Sequence, residues 1–222
     1  MSRQTPEGIV LHRATAHEAR QATAERITGT LMGLAGTAIL MGIITGETLY
    51  PAPYRTSGNT ISDLGGTRPP NGVVLQPSAA IFDATMIAAG VLIIAAAGFG
   101  SRASVRRLVM APLALLGLGV LGVGLFPGNT QPHPLFAMLA FWAGGLAALL
   151  CWWAIAGWFR YLAAGLGLVA LTALVLATFA LDWGPVAELG EGGIERWIAY
   201  PVVLWLVAFG GYLLGRADVE RP

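Results

Sequence analysis

The sequence predicts an all-α integral membrane protein, a bundle of six transmembrane helices with both termini in the cytoplasm. Three observations lead there. Hydrophobic residues make up 55% of the chain and charged residues 11%, with a mean hydropathy of +0.67. Soluble proteins carry about 25% charged residues, so a water-soluble fold of this composition would lack the polar surface to cover itself. Apolar runs of about 20 residues, the length that crosses a hydrocarbon core, recur along the chain. The arginines gather at alternate junctions between those runs.

The first span runs from about Ile27 to Tyr50 and the second from about Ala79 to Gly100. The third covers Leu108 to Phe126, the fourth Leu135 to Phe159, the fifth Tyr161 to Trp183 and the sixth Ile194 to Gly215. Only Arg160 separates the fourth from the fifth. Together they run for 49 residues, too long for one span and suited to a tight helical hairpin. Residues 1–26 form an N-terminal arm, residues 27–216 the membrane domain and residues 217–222 a tail. The arm contains Glu7, Glu18 and Glu25 and leads into a full-length span, which is unlike a cleavable signal peptide. A short helix from Ala14 to Arg26 is one reading of it, a solvated and partly frayed segment the other.

Orientation follows from arginines near helix ends. Arg13, Arg20, Arg26, Arg102, Arg106, Arg107, Arg160, Arg216 and Arg221 fall on one side, and Arg55, Arg68 and Arg196 on the other. The richer side is expected inside. Glu47, Asp63, Asp83, Asp182, Glu188, Glu191 and Glu195 fall outside or at the outer boundary. Trp152, Trp153, Trp158 and Tyr161 mark the inner interface, and Trp183, Trp197 and Tyr200 the outer one, where amphipathic rings prefer to lie. Trp205 lies deeper and is expected between helices.

Glycines at a spacing of four, Gly29 with Gly33 and Gly42 with Gly46, allow close helix approach, as do Gly117, Gly119, Gly122 and Gly124 in the third span. Packing within the chain is the first expectation. A homodimer through such Gly-rich faces is the second.

The polar residues collect in the outer loops. The first loop carries Tyr54, Arg55, Asn59, Thr60, Ser62, Asp63 and Arg68, the second Asn129, Gln131 and His133, and the third Glu188, Glu191, Glu195 and Arg196. In a compact bundle these loops converge over one end. Asp83, just inside the second span, is costly against lipid and is expected to face the bundle interior, unless water reaches it at the helix N-terminus. Arg196 has the planar fork that pairs with carboxylate or phosphate, and Asp63 or Asp83 is its expected partner. Asp63 is also placed to accept hydrogen bonds from nearby backbone amides in a tight turn. Candidate ligand-binding residues are therefore Ser62, Asp63, Asp83, His133, Glu195 and Arg196, and candidate catalytic groups Asp63, Asp83 and His133.

Other chemistry is absent from the pattern. His133 is the only histidine beyond the arm, so a His-rich zinc site cannot be assembled, although a mixed site from Asp63, Asp83, Glu195 and His133 is conceivable. No Walker loop and no Gly-x-Ser-x-Gly elbow occurs, no motif implies a cofactor, and no basic stripe suggests nucleic acid. Cys151 is the single cysteine, so no intrachain disulfide can form.

Asn59-Thr60-Ile61-Ser62-Asp63-Leu64-Gly65 after the first span resembles the family of six-span membrane proteins called domain of unknown function 998. Pro77 with Ile81-Phe82-Asp83 and Gly90, Phe126-Pro127 with His133, and Gly193-Ile194-Glu195-Arg196 add to the resemblance, which covers about Leu31 to Gly215. The family pattern often carries Asn where this chain has Asp83. The resemblance implies a fold and a topology, not a reaction.

The leading functional expectation is an outward-facing polar pocket that binds a lipid or amphiphile headgroup, with membrane lipids as partners in the cell inner (plasma) membrane. A lipid-modifying enzyme using Asp63 or Asp83 as base and His133 as acid is the alternative, and a structural or assembly subunit is a third. A transporter is disfavoured because the mid-membrane zone holds almost no polar residues.

Overall fold

The computed structural model describes residues 6–103 and 107–219, with side chains from 18 to 103 and 107 to 218. Arg106, Arg221, the start of the arm and the end of the tail lie outside the described residues, as does the side chain of Arg13. The described chain is helical apart from turns and loops: α1 Pro6–Thr48, α2 Ser78–Gly100, α3 Arg107–Leu125, α4 His133–Ala154, α5 Phe159–Phe179 and α6 Gly184–Val219. All six are long and apolar enough to cross a membrane. Each packs against its neighbours in sequence, and α1 closes on α6, so the helices form a ring. Both described chain ends lie at one end of the ring. The loops 49–77, 126–132 and 180–183 lie at the other.

The burial pattern is that of a membrane bundle. Inside the ring, Met32, Ile43, Phe82, Ile93, Leu113, Trp205 and Phe209 are almost wholly buried. Outside it, Leu34, Val91, Leu118, Leu168 and Leu204 are about half exposed, a surface suited to hydrocarbon. Trp205 stacks on Phe209 at 5.5 Å between ring centroids. A close helix approach joins the ring: a Cβ on Gly29 of α1 would lie 2.6 Å from the Gly210 carbonyl of α6. Gly29 and Gly210 here serve packing within the chain.

Several boundaries differ from the sequence expectation, and α5 ends at Phe179 rather than Trp183. α4 ends at Ala154 rather than Phe159, because Ile155 is extended and Gly157 adopts φ +84°. The hairpin therefore turns before Arg160, which sits in the first turn of α5 with its guanidinium 5.2 Å from the Trp152 ring and 4.8 Å from that of Tyr161. α6 begins ten residues ahead of Ile194, at Gly184, and is broken at Gly190 by φ +70°. α1 extends back through the arm to Pro6. At the end of the ring that holds the chain ends, Arg216 of α6 lies 3.4 Å from the fully buried Glu25 of α1, and Arg26 lies 3.5 Å from Asp218.

Candidate functional site

The loop between α1 and α2 folds back into the ring. Its sequence Thr60-Ile61-Ser62-Asp63 makes a capping box: the Asp63 N–H donates to the Thr60 hydroxyl and the Thr60 N–H donates to Asp63 Oδ2 at 3.0 Å. The short 3₁₀ turn Ile61–Leu64 that follows buries Ile61 and Leu64. Its Ser62 side chain is aimed at the centre of the ring, while the Asp63 carboxylate turns back to its own backbone and to Asn59 Nδ2 at 3.3 Å.

Two neighbouring segments seat this turn through glycine. A Cβ on Gly128, in the α3–α4 corner, would lie 2.1 Å from the Gly66 carbonyl, and one on Gly192 of α6 would lie 2.0 Å from that of Asn59. The corner brings in His133 and α6 brings in Glu195. Phe126 stacks on Phe136 at 5.2 Å and fixes the corner that carries the histidine.

The result is a chain of three side chains. His133 Nε2 lies 3.0 Å from Ser62 Oγ, Ser62 Oγ lies 3.2 Å from Glu195 Oε1, and Glu195 Oε2 accepts from the Ile61 N–H. His133 Nδ1 lies 2.8 Å from the Phe126 carbonyl, which can only accept, so Nδ1 carries a proton. Ser62 has one proton to offer, and both neighbours want it. The chain is fully bonded only with one further proton, held either by Glu195, which then donates to Ser62, or by His133 Nε2.

Below this chain lies an apolar cavity of about 80 Å³, bordered by Ser62 and Glu195 and by Ile43, Phe82, Val120, Ala140 and Val203. Glu195 and Phe141 also border a groove of about 220 Å³ between α4, α5 and α6, with Arg68 and Glu191 at its mouth. Those two residues form an exposed pair at 3.4 Å.

Arg196 corrects the expected pairing. Its partner is Glu47, not Asp63 or Asp83. Nη2 donates to Glu47 Oε1 and to the Tyr54 hydroxyl, and Nη1 donates to the carbonyls of Thr56, Asn59 and Gly192 at 3.0, 3.0 and 2.7 Å. The reason is topological: Glu47 ends α1, which packs on α6, whereas Asp83 is on α2, whose neighbours are α1 and α3. Tyr54 in turn donates to the Thr60 carbonyl at 2.9 Å. Burial pushes the Tyr54 hydroxyl well above the ordinary tyrosine range against the pull of Arg196, so it stays a donor.

Of the six sequence candidates, then, Ser62, His133 and Glu195 come together. Asp63 braces the turn and Arg196 ties the loop to α1. Asp83 stands apart from the cavity, its Oδ1 buried without a hydrogen-bond partner and pressed towards Gly65. No group of three or more metal-ligating side chains gathers among the described residues, so Asp63, Asp83, Glu195 and His133 do not meet as a mixed metal site. Glu47 and Tyr54 were visible in the sequence at the membrane boundary and in the first loop, but nothing there linked them to Arg196.

The segments that build this site, Asn59–Gly65, the His133 corner and Ile194–Arg196, are also the ones that carry the family resemblance. The chain belongs to the DUF998 family. The family, described as protein of unknown function (DUF998), matches residues 33–212, from the first turns of the α1 span almost to the end of α6. No curated protein and no solved structure matches. Every residue of the Ser62–His133–Glu195 chain lies within the DUF998 match, as do Glu47 and Arg196.

Proposed function

We propose that this DUF998 protein holds an amphiphile in the membrane, with the polar group at Ser62, His133 and Glu195 and the apolar part within the ring. The observation that supports this best is the position of Glu195, a residue that borders both the central cavity and the groove between α4, α5 and α6. A polar group shared by two apolar spaces suits a molecule with a head and a tail. The cavity accepts the end of an alkyl chain, not a whole lipid, and the groove offers room for the remainder. The arginine bias favours the loop end as the outer face of the cell inner membrane.

Native mass spectrometry of gently purified protein tests the reading. A retained lipid or other amphiphile, reduced in the Glu195→Leu variant, is the expected result. Protein free of any such adduct from both membranes and mild detergent would leave the second reading, a purely structural loop cluster. That reading is favoured by the internal partners of Arg196, which pairs with Glu47, and of Asp63, which caps its own turn at Thr60.

A further inference from the structure

We propose that Ser62 is a nucleophile and His133 its general base, so that the protein cleaves or transfers the acyl group of a long-chain ester. The inference rests on the amphiphile reading and gives that amphiphile a chemical class. A serine hydroxyl becomes nucleophilic when a correctly oriented imidazole can take its proton. Here His133 Nε2 stands 3.0 Å from Ser62 Oγ; the Phe126 carbonyl, 2.8 Å from Nδ1, keeps a proton on that nitrogen, and with the further proton on Glu195 the Nε2 is free to accept. The carbonyl does the positioning that a third side chain performs in other nucleophile–base pairs. His133 is buried and Ser62 half-buried, and Ser62 opens onto an apolar cavity suited to an acyl chain.

The Glu195 carboxyl shows how the reacting group is received. It is a planar carbon with one oxygen against Ser62 Oγ and the other on the Ile61 N–H. An ester that takes over this position puts its carbonyl oxygen on the Ile61 amide, a donor for the developing oxyanion, and its carbon beside the hydroxyl. Glu195 can then turn into the groove between α4, α5 and α6 that it already borders.

The chemistry balances without a cofactor. Ser62 Oγ bonds to the carbonyl carbon as its proton passes to His133 Nε2. The bond from that carbon to the alcohol oxygen breaks, and His133 returns the proton to the departing alcohol, leaving an acyl ester on Ser62. Water, or a second alcohol for transfer, repeats the sequence with His133 as base and releases the acyl group.

The test uses the full chain in lipid nanodiscs with a hexadecyl fluorophosphonate, followed by peptide mass spectrometry, and with p-nitrophenyl palmitate as substrate. The expected result is one phosphonyl adduct, on Ser62, and hydrolysis of p-nitrophenyl palmitate that falls at least about 100-fold in His133→Ala and in Ser62→Ala. Ser101→Ala, at the opposite end of the ring, should match the parent. Adduct mapping on the parent protein needs no variant to fold. A parent protein that retains lipid by native mass spectrometry but shows no Ser62 adduct overturns this inference and leaves the binding reading standing. A protein with neither overturns both.

Discussion

Five acceptors converge on the Arg196 guanidinium: Glu47, the Tyr54 hydroxyl and three backbone carbonyls. Replacing it with Ala strands a largely buried carboxylate and leaves the carbonyls unpaired, at roughly 3–5 kcal/mol. Replacing Arg68, whose pair with Glu191 is exposed, costs at most about 1 kcal/mol. Thermal unfolding in detergent should rank the two variants in that order. Combining Arg196→Ala with Glu47→Gln should cost less than the sum of the two single changes, and strict additivity would mean that the two groups are not coupled. Asp63 behaves differently because its work is capping. Asn keeps one acceptor for the Thr60 N–H and Leu keeps none, so Asp63→Leu should unfold at the lower temperature, by about 0.5–2 kcal/mol in stability. At Asp83 the change to Asn should raise the unfolding temperature. It replaces a carboxylate whose Oδ1 is buried and unpartnered with a neutral amide that is cheaper to desolvate.

At the scale of elements, glycines decide which surfaces meet. Gly210 and Gly211 are neighbours on α6, yet a Cβ on Gly210 would stand 2.6 Å from the Gly29 carbonyl while one on Gly211 meets nothing within 4 Å. Gly210→Ala should therefore destabilise clearly, and Gly211→Ala should be silent or mildly stabilising in the same unfolding assay. The six helices were legible in the sequence because lipid demands long apolar runs. Their ends were less so. Ile155 to Trp158 are as apolar as the helices they separate, so hydropathy carries straight past the turn at Gly157. Gly184 to Gly193 are polar and glycine-rich, so hydropathy starts the last helix too late. The Ser62–Asp63 turn was legible from its short polar side chains and following glycines. The partner of Arg196 was not, since Glu47 lies 149 residues away and meets it only because the ring closes.

The described residues form an even number of long apolar helices, so both described chain ends share one end of the ring and the three loops the other. Reporter fusions after Asn71 and after Trp183 should read outside, and one after Ala103 inside, if the arginine bias sets orientation. An inside reading at Asn71 would reverse the topology. The closure of α1 on α6 has a consequence for how the protein is made. The first helix carries Glu25 and Glu47, and the arginines that lie against them, Arg216 and Arg196, are on the last. At ribosomal speeds of about 5–20 residues per second, the first helix waits roughly ten to forty seconds in or near the bilayer before those cations are synthesised. During that time its carboxylates depend on the insertion machinery or on water at the headgroups. A nascent chain released at Trp183 never receives its arginines. It should be cleared by membrane proteases, which makes the last helix the step that commits the polypeptide to survival.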